Sequence, residues 1–195
     1  MAKVVTDRFH RGKRGALGRL LSFVVAAFVS ISLLAITTEA SAGPNHPHHI
    51  STDYATIHFS DPAALEGLSD ILEQSAATPR FVSSSSTGSS IDRIVFRVRN
   101  ILGIHTPGFH FNIYLLDSAT ELEAIYTEMG FGDSAPPAFY SRSTGSVFVS
   151  LDAVNDGILA HEVAHAVINS HYTPPLPTRM QEILAQFVDK NLWVE

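Results

Sequence analysis

The stretch DGILAHEVAHAVI, residues 156–168, decides how the rest of the chain is read. It holds His161, Glu162 and His165 in the pattern HExxH. An α-helix turns about 100° per residue, so the two histidines lie roughly 40° apart on one face and one turn apart in height. Both imidazoles then reach one ion at the ~2.1 Å of a zinc–nitrogen bond. Glu162 falls about 60° beyond His165. It flanks the ion without being aimed at it, where a base for the attacking water belongs. Ala160, Val163, Ala164, Val167 and Ile168 give the helix an apolar face to bury. The plain alternative is a pair of structural histidines on a core helix.

A catalytic zinc takes three protein ligands and keeps an open position. The chain has no cysteine, so His, Asp or Glu must supply the third. After His171 the run Thr173-Pro174-Pro175-Leu176-Pro177 breaks the helix. Thr178 then caps a second helix over residues 179–192, with Gln181 three positions on completing a capping box. Glu182 falls in the first full turn. A short connection makes the two helices neighbours, so Glu182 can face back towards His161 and His165. His171 is the rival ligand. If the first helix continues, His171 lies about 15 Å along the axis from His161 and about 80° off its face. It binds only if Asn169 ends the helix in a left-handed turn.

The run DGILAHEVAHAVI followed by PTRMQEILAQFVD resembles the gluzincin branch of the HExxH metallopeptidases over residues 138–192. Glu182, Ala185 and Phe187 match the E-x-x-A-plus-aromatic pattern of its second helix. The resemblance implies a zincin-like domain with one zinc per chain held by His161, His165 and Glu182, and Glu162 as catalytic base. It is to a compact, minimal member, because the chain ends 13 residues after Glu182, without the C-terminal subdomain of the large gluzincins. A metzincin-like site using His171 would want glycine where this chain has Ile168.

Further site candidates surround this core. Gln186 and Asp189 lie four and seven residues after Glu182 on the same helical face, where either would orient an imidazole; otherwise both are solvated surface. Tyr172, His171 and Tyr140 are candidate oxyanion donors. His105 and His110 read as structural.

The fold class expected is α+β, a small mixed sheet covered on one side by helices. Residues 54–59 and 109–116 read as strands. Residues 61–74 read as an amphipathic helix, and 118–129 as a helix opened by a Ser118–Glu121 capping box. Residues 81–90, with SSSSTGSS, read as a loop. Residues 91–102 fit strand or helix. Residues 138–150 read as a hairpin, with Val147–Ser150 an edge strand beside the motif helix that aligns an extended peptide.

Residues 1–42 read as a secretory signal peptide. Lys3, Arg8, Arg11, Lys13, Arg14 and Arg19 precede an apolar run from Leu20 to Ile36, and Ala40-Ser41-Ala42 offers the cleavage site. The alternative is an uncleaved anchor over residues 20–36. Residues 43–53 read as a linker and 54–195 as the folded domain. From residue 43 onward, 7 basic face 17 acidic residues, a net charge of −10. Such a domain repels phosphate backbones, which argues against nucleic acid and anionic lipid as partners. Any membrane association would run through the N-terminal segment.

These features lead to an exported enzyme, periplasmic or secreted, that hydrolyses peptide or protein substrates by zinc-activated water with Glu162 as general base. Two alternatives stand beside it. One is a non-proteolytic binding or sensing domain. The other is an autoinhibited proenzyme whose cleft is filled by His46, His48 and His49.

Overall fold

The computed structural model describes residues 46–75 and 87–194. The signal-peptide or anchor reading of residues 1–42 lies outside them. Five strands and five helices follow one another as β1 (His48–Ser51), β2 (Ala55–Phe59), α1 (Pro62–Ser75), α2 (Thr87–Leu102), β3 (Phe111–Leu116), α3 (Ala119–Glu128), β4 (Ala138–Ser141), β5 (Ser146–Ser150), α4 (Asp156–His171) and α5 (Thr178–Asn191). The class is α+β. No helix among the described residues is long and apolar enough to cross a membrane.

The strands form one mixed sheet in the order β1-β2-β3-β5-β4. The β2–β3 and β3–β5 pairs are parallel, while the outer pairs are antiparallel. Side chains alternate across a strand, so each strand serves two layers. Ile57, Ile113, Val147 and Val149 face a core completed by Leu68, Leu72, Ile91, Val95, Leu159, Val163 and Val188 from α1, α2, α4 and α5. Tyr114, Leu116, Phe139 and Phe148 face the other way, against Leu122 and Ile125 of α3. The sheet is therefore covered on both faces at its β4 end, not on one side as expected. His49, His58, Tyr114, Phe148 and Phe139 stand directly opposite one another across all five strands. They make a row of ring contacts with centroids 4.5–6.1 Å apart.

Three other expectations are corrected, and the open choice of strand or helix for residues 91–102 falls to helix. The segment read as a linker contains β1, paired with β2 from His48↔Phe59 to Ser51↔Thr56. The serine-rich loop already includes the first turn of α2, where the Thr87 hydroxyl donates to the Leu65 carbonyl at 2.9 Å. Residues 91–102 are helical. Ile91, Ile94, Val95 and Val98 are buried at helical spacing, while Phe96, which suggested a strand by alternation, is 55% exposed. The edge strand is β4 and not Val147–Ser150, because β5 pairs on its far side with β3. All five β5 residues are buried, as an interior strand packed on both faces requires.

α3 is capped as the sequence suggests, with one change. Ser118 accepts from the Glu121 amide, but the Glu121 carboxylate reaches the Asp117 amide and not that of Ser118. α4 is opened by Asn155, whose side chain accepts from the Ile158 amide at 2.9 Å. It runs unbroken to His171, and the connection back to α5 includes a cis Thr173–Pro174 bond.

Candidate metal centre

α4 carries His161 and His165 on one face, and α5 returns alongside it with Glu182 in its first turns. Val163, Val167, Ala185 and Val188 pack between the helices and the sheet, so the apolar sides of both helices fix the facing of their polar sides. His161 Nε2 lies 3.4 Å from one Glu182 oxygen, and His165 Nε2 lies 3.3 Å from the other. The donor atoms of all three residues fall within 4.8 Å of one another and could hold a metal ion. Four ligands set tetrahedrally at ~2.1 Å from an ion stand roughly 3.4 Å apart along each edge. The two His–Glu separations match that edge. The donor set, two imidazoles and a carboxylate, also suits a borderline divalent cation.

Electrostatics favour the ligand state at His165. Burial lowers its pKa; the Glu182 charge opposes this, His161 adds to it, and a hydrogen bond with the Gln181 side chain also opposes it. The ring is thus neutral near pH 7, as a metal ligand must be.

Glu162 sits beside the triad but outside it. Its carboxylate accepts from the Tyr140 amide of β4 at 2.8 Å. Burial raises its pKa to about 8; the Tyr140 amide pulls it down and the Glu182 charge adds to the rise. A cation held by the triad would draw it down again. The Tyr140 N–H fixes this carboxyl against the sheet edge.

The connection between the ligand helices is built differently from the expected capping box. Pro177 stands at the N-cap of α5 with no side-chain cap bond. Gln181 instead donates to the Leu176 carbonyl at 2.7 Å and accepts from Asn169 Nδ2 at 2.8 Å, while the same Asn169 nitrogen lies 2.8 Å from the His165 carbonyl. Asn169 and Gln181 are site residues that sequence reasoning missed as such. Asn169 stands one turn beyond His165, and that i+4 spacing was the available signal.

The remaining candidates separate clearly. His171 belongs to the last turn of an unbroken helix and is not part of the cluster, so the metzincin-like arrangement is not formed. Its ring packs edge-on against Tyr172, 4.9 Å away, and both residues are exposed. Gln186 is exposed and does not line the site. Asp189 lies against Gly157 at the start of α4, so close that a β-carbon on Gly157 would stand 2.5 Å from its Oδ1. It is directed at the helix entrance and not at a ligand. Tyr140 lies at the site, with its hydroxyl pKa raised by burial. His110 bonds the Thr56 hydroxyl at 2.9 Å. His48 and His49 are on β1, at the opposite edge of the sheet from β4, with His48 stacked on Phe59. His46 leans on Tyr114. These three therefore do not fill the cleft.

That cleft is a cavity of about 600 Å³ beside β4. The triad, Glu162, Asn169 and Gln181 line one side of it, and Tyr126, Phe131, Pro136 and Phe139 the other. Arg142 also lines it. Comparison with protein-family models, curated proteins and solved structures finds nothing that matches this chain.

Proposed function

We propose that the chain is an exported zinc metallopeptidase of the gluzincin type, with a minimal zincin-like domain that hydrolyses peptide bonds. The observation that carries this reading is the pairing of two features. His161 and His165 stand 3.4 and 3.3 Å from the two Glu182 oxygens, with all three donors within 4.8 Å of one another, and a second carboxyl, that of Glu162, is held beside them in an open cleft. A site built only to hold a metal has no use for Glu162 in that place.

His161, His165 and Glu182 would hold the zinc, which when bound supplies Lewis acidity and lowers the pKa of water towards ~7. Glu162 takes the proton of the attacking water and later delivers it to the leaving amine. The Tyr140 amide keeps the Glu162 carboxyl turned to the cleft. The Tyr140 hydroxyl, in the same cleft, is a neutral donor available for developing oxyanion charge.

The test is metal analysis of the purified protein beside digestion of a mixed peptide library, with and without chelator. Zinc at one per chain with chelator-sensitive cleavage is the expected result. One zinc per chain with no cleavage of any library member would leave the non-proteolytic binding domain as the reading.

A further inference from the structure

We propose that Phe131, backed by Tyr126 and Phe139, is a subsite for one large apolar side chain of an extended peptide laid along β4; this rests on the peptidase reading above. The first observation is the construction of the loop after α3. Phe131 is bracketed by Gly130 at φ +77° and Gly132 at φ +143°, backbone conformations that other residues rarely adopt. The Phe131 amide donates to the Tyr126 carbonyl at 3.1 Å, and the Thr127 hydroxyl donates to the Gly132 carbonyl at 2.9 Å. The loop is thus pinned in the shape that presents this ring.

The second observation is where the ring stands. Phe131 remains 47% exposed although it touches Tyr126 and Phe139, with centroids 5.2 and 5.4 Å away. Phe139 beneath it is only 5% exposed and closes the row that crosses the sheet. A ring whose back is packed and whose front lines the cleft has open apolar area for a ligand to cover.

The third is the free edge of β4. The Tyr140 amide turns away from β5 to reach Glu162, so Ala138, two residues before it, also turns its N–H and carbonyl outward. An extended segment can pair with those groups, as edge strands allow. Its side chains then alternate between the two sides of β4. One set meets the metal triad and α5, and the other meets the aromatic wall of Tyr126 and Phe131. The ligand class is therefore an extended peptide with Phe, Leu or a similar residue at one register position.

The test uses zinc-loaded full-length protein and two peptides that differ only in one residue, Phe or Ser, placed at each position in turn around the cleaved bond. At one position the Phe peptide should have the higher kcat/KM by at least tenfold. Phe131→Ala should cut that Phe/Ser ratio about tenfold, chiefly through KM, and Phe131→Leu should restore most of it. A library cleaved without apolar preference, or a ratio unmoved by Phe131→Ala, would overturn the subsite and leave the peptidase reading intact. The same peptides are titrated by fluorescence anisotropy against zinc-loaded Glu162→Gln protein. Phe-dependent binding lost in Phe131→Ala, without hydrolysis by the unsubstituted protein, would keep the subsite and end the peptidase reading. Binding indifferent to both changes would end the subsite.

Discussion

Asn169 Nδ2 donates to Gln181 Oε1 at 2.8 Å, joining the turn that follows His165 to the residue that precedes Glu182. Two of the three candidate ligands are thereby positioned by one amide pair. Because Asn169 also holds the His165 carbonyl and Gln181 the Leu176 carbonyl, the pair sets both the height and the rotation of α5 against α4. Asn169→Ala and Gln181→Ala should each weaken metal binding about 10- to 100-fold, the usual effect of removing an outer partner of a ligand. Competition with a chromophoric chelator measures this. Unchanged affinity in both variants would show that apolar packing between the helices suffices.

The candidate ligands should separate sharply from His171. His161→Ala, His165→Ala and Glu182→Ala should each strip the metal on dialysis, whereas His171→Ala should leave occupancy intact. The reason is that His171 sits in the last turn of an unbroken helix, packed on Tyr172. Atomic absorption of the four proteins, with circular dichroism to confirm folding, decides it. Metal retained in Glu182→Ala and lost in His171→Ala would reverse the assignment.

Glu162→Gln should keep the metal and lose hydrolysis by about 10² or more, the share that general-base catalysis commonly contributes. The amide preserves a carbonyl oxygen to accept from Tyr140, so β4 and the cleft keep their shape. Equal turnover in the two proteins would remove Glu162 from its role.

The helices that carry the site were legible from the HExxH spacing, which suits a helix, and from the proline run before Thr178 that separates the first from the second. The cluster that could hold a metal was legible in part: helical spacing brings His161 and His165 to one face, while the short return made Glu182 a candidate beside its rival His171. What was not legible depended on pairing between distant segments. Whether Val147–Ser150 is an edge or an interior strand turns on β3, about thirty residues earlier, and hairpin patterning does not report that partner. β1 escaped because three histidines among prolines carry little apolar alternation, although His48 stacks on Phe59 and His49 meets His58 across to β2. Gln181 was assigned to a cap because its spacing from Thr178 fits one. In the folded chain Asn169 offers it a partner from another helix, and the local motif is set aside.

The β1 end of the sheet should also give the protein a measurable acid sensitivity. His46 leans on Tyr114, and its Nε2 is buried with no hydrogen-bond partner among the described residues. Burial lowers its pKa below the ordinary 6.5; the Glu121 and Asp117 carboxylates oppose this, and His58 reinforces it. The sign follows from linkage. The unfolded chain takes up this proton near pH 6.5 and the folded chain only at lower pH, so stability is full above pH 6.5 and falls as the pH drops through that range. His165, depressed by burial as well, acts in the same direction, so the slope of the unsubstituted protein alone does not identify the group. His46→Gln removes one titration and leaves the other. The melting temperature measured from pH 7.5 to 5 should therefore fall less steeply in His46→Gln than in the unsubstituted protein. Parallel curves across the whole range would mean that His46 stays solvated enough to charge freely, and that β1 does not bury it against Tyr114 in solution.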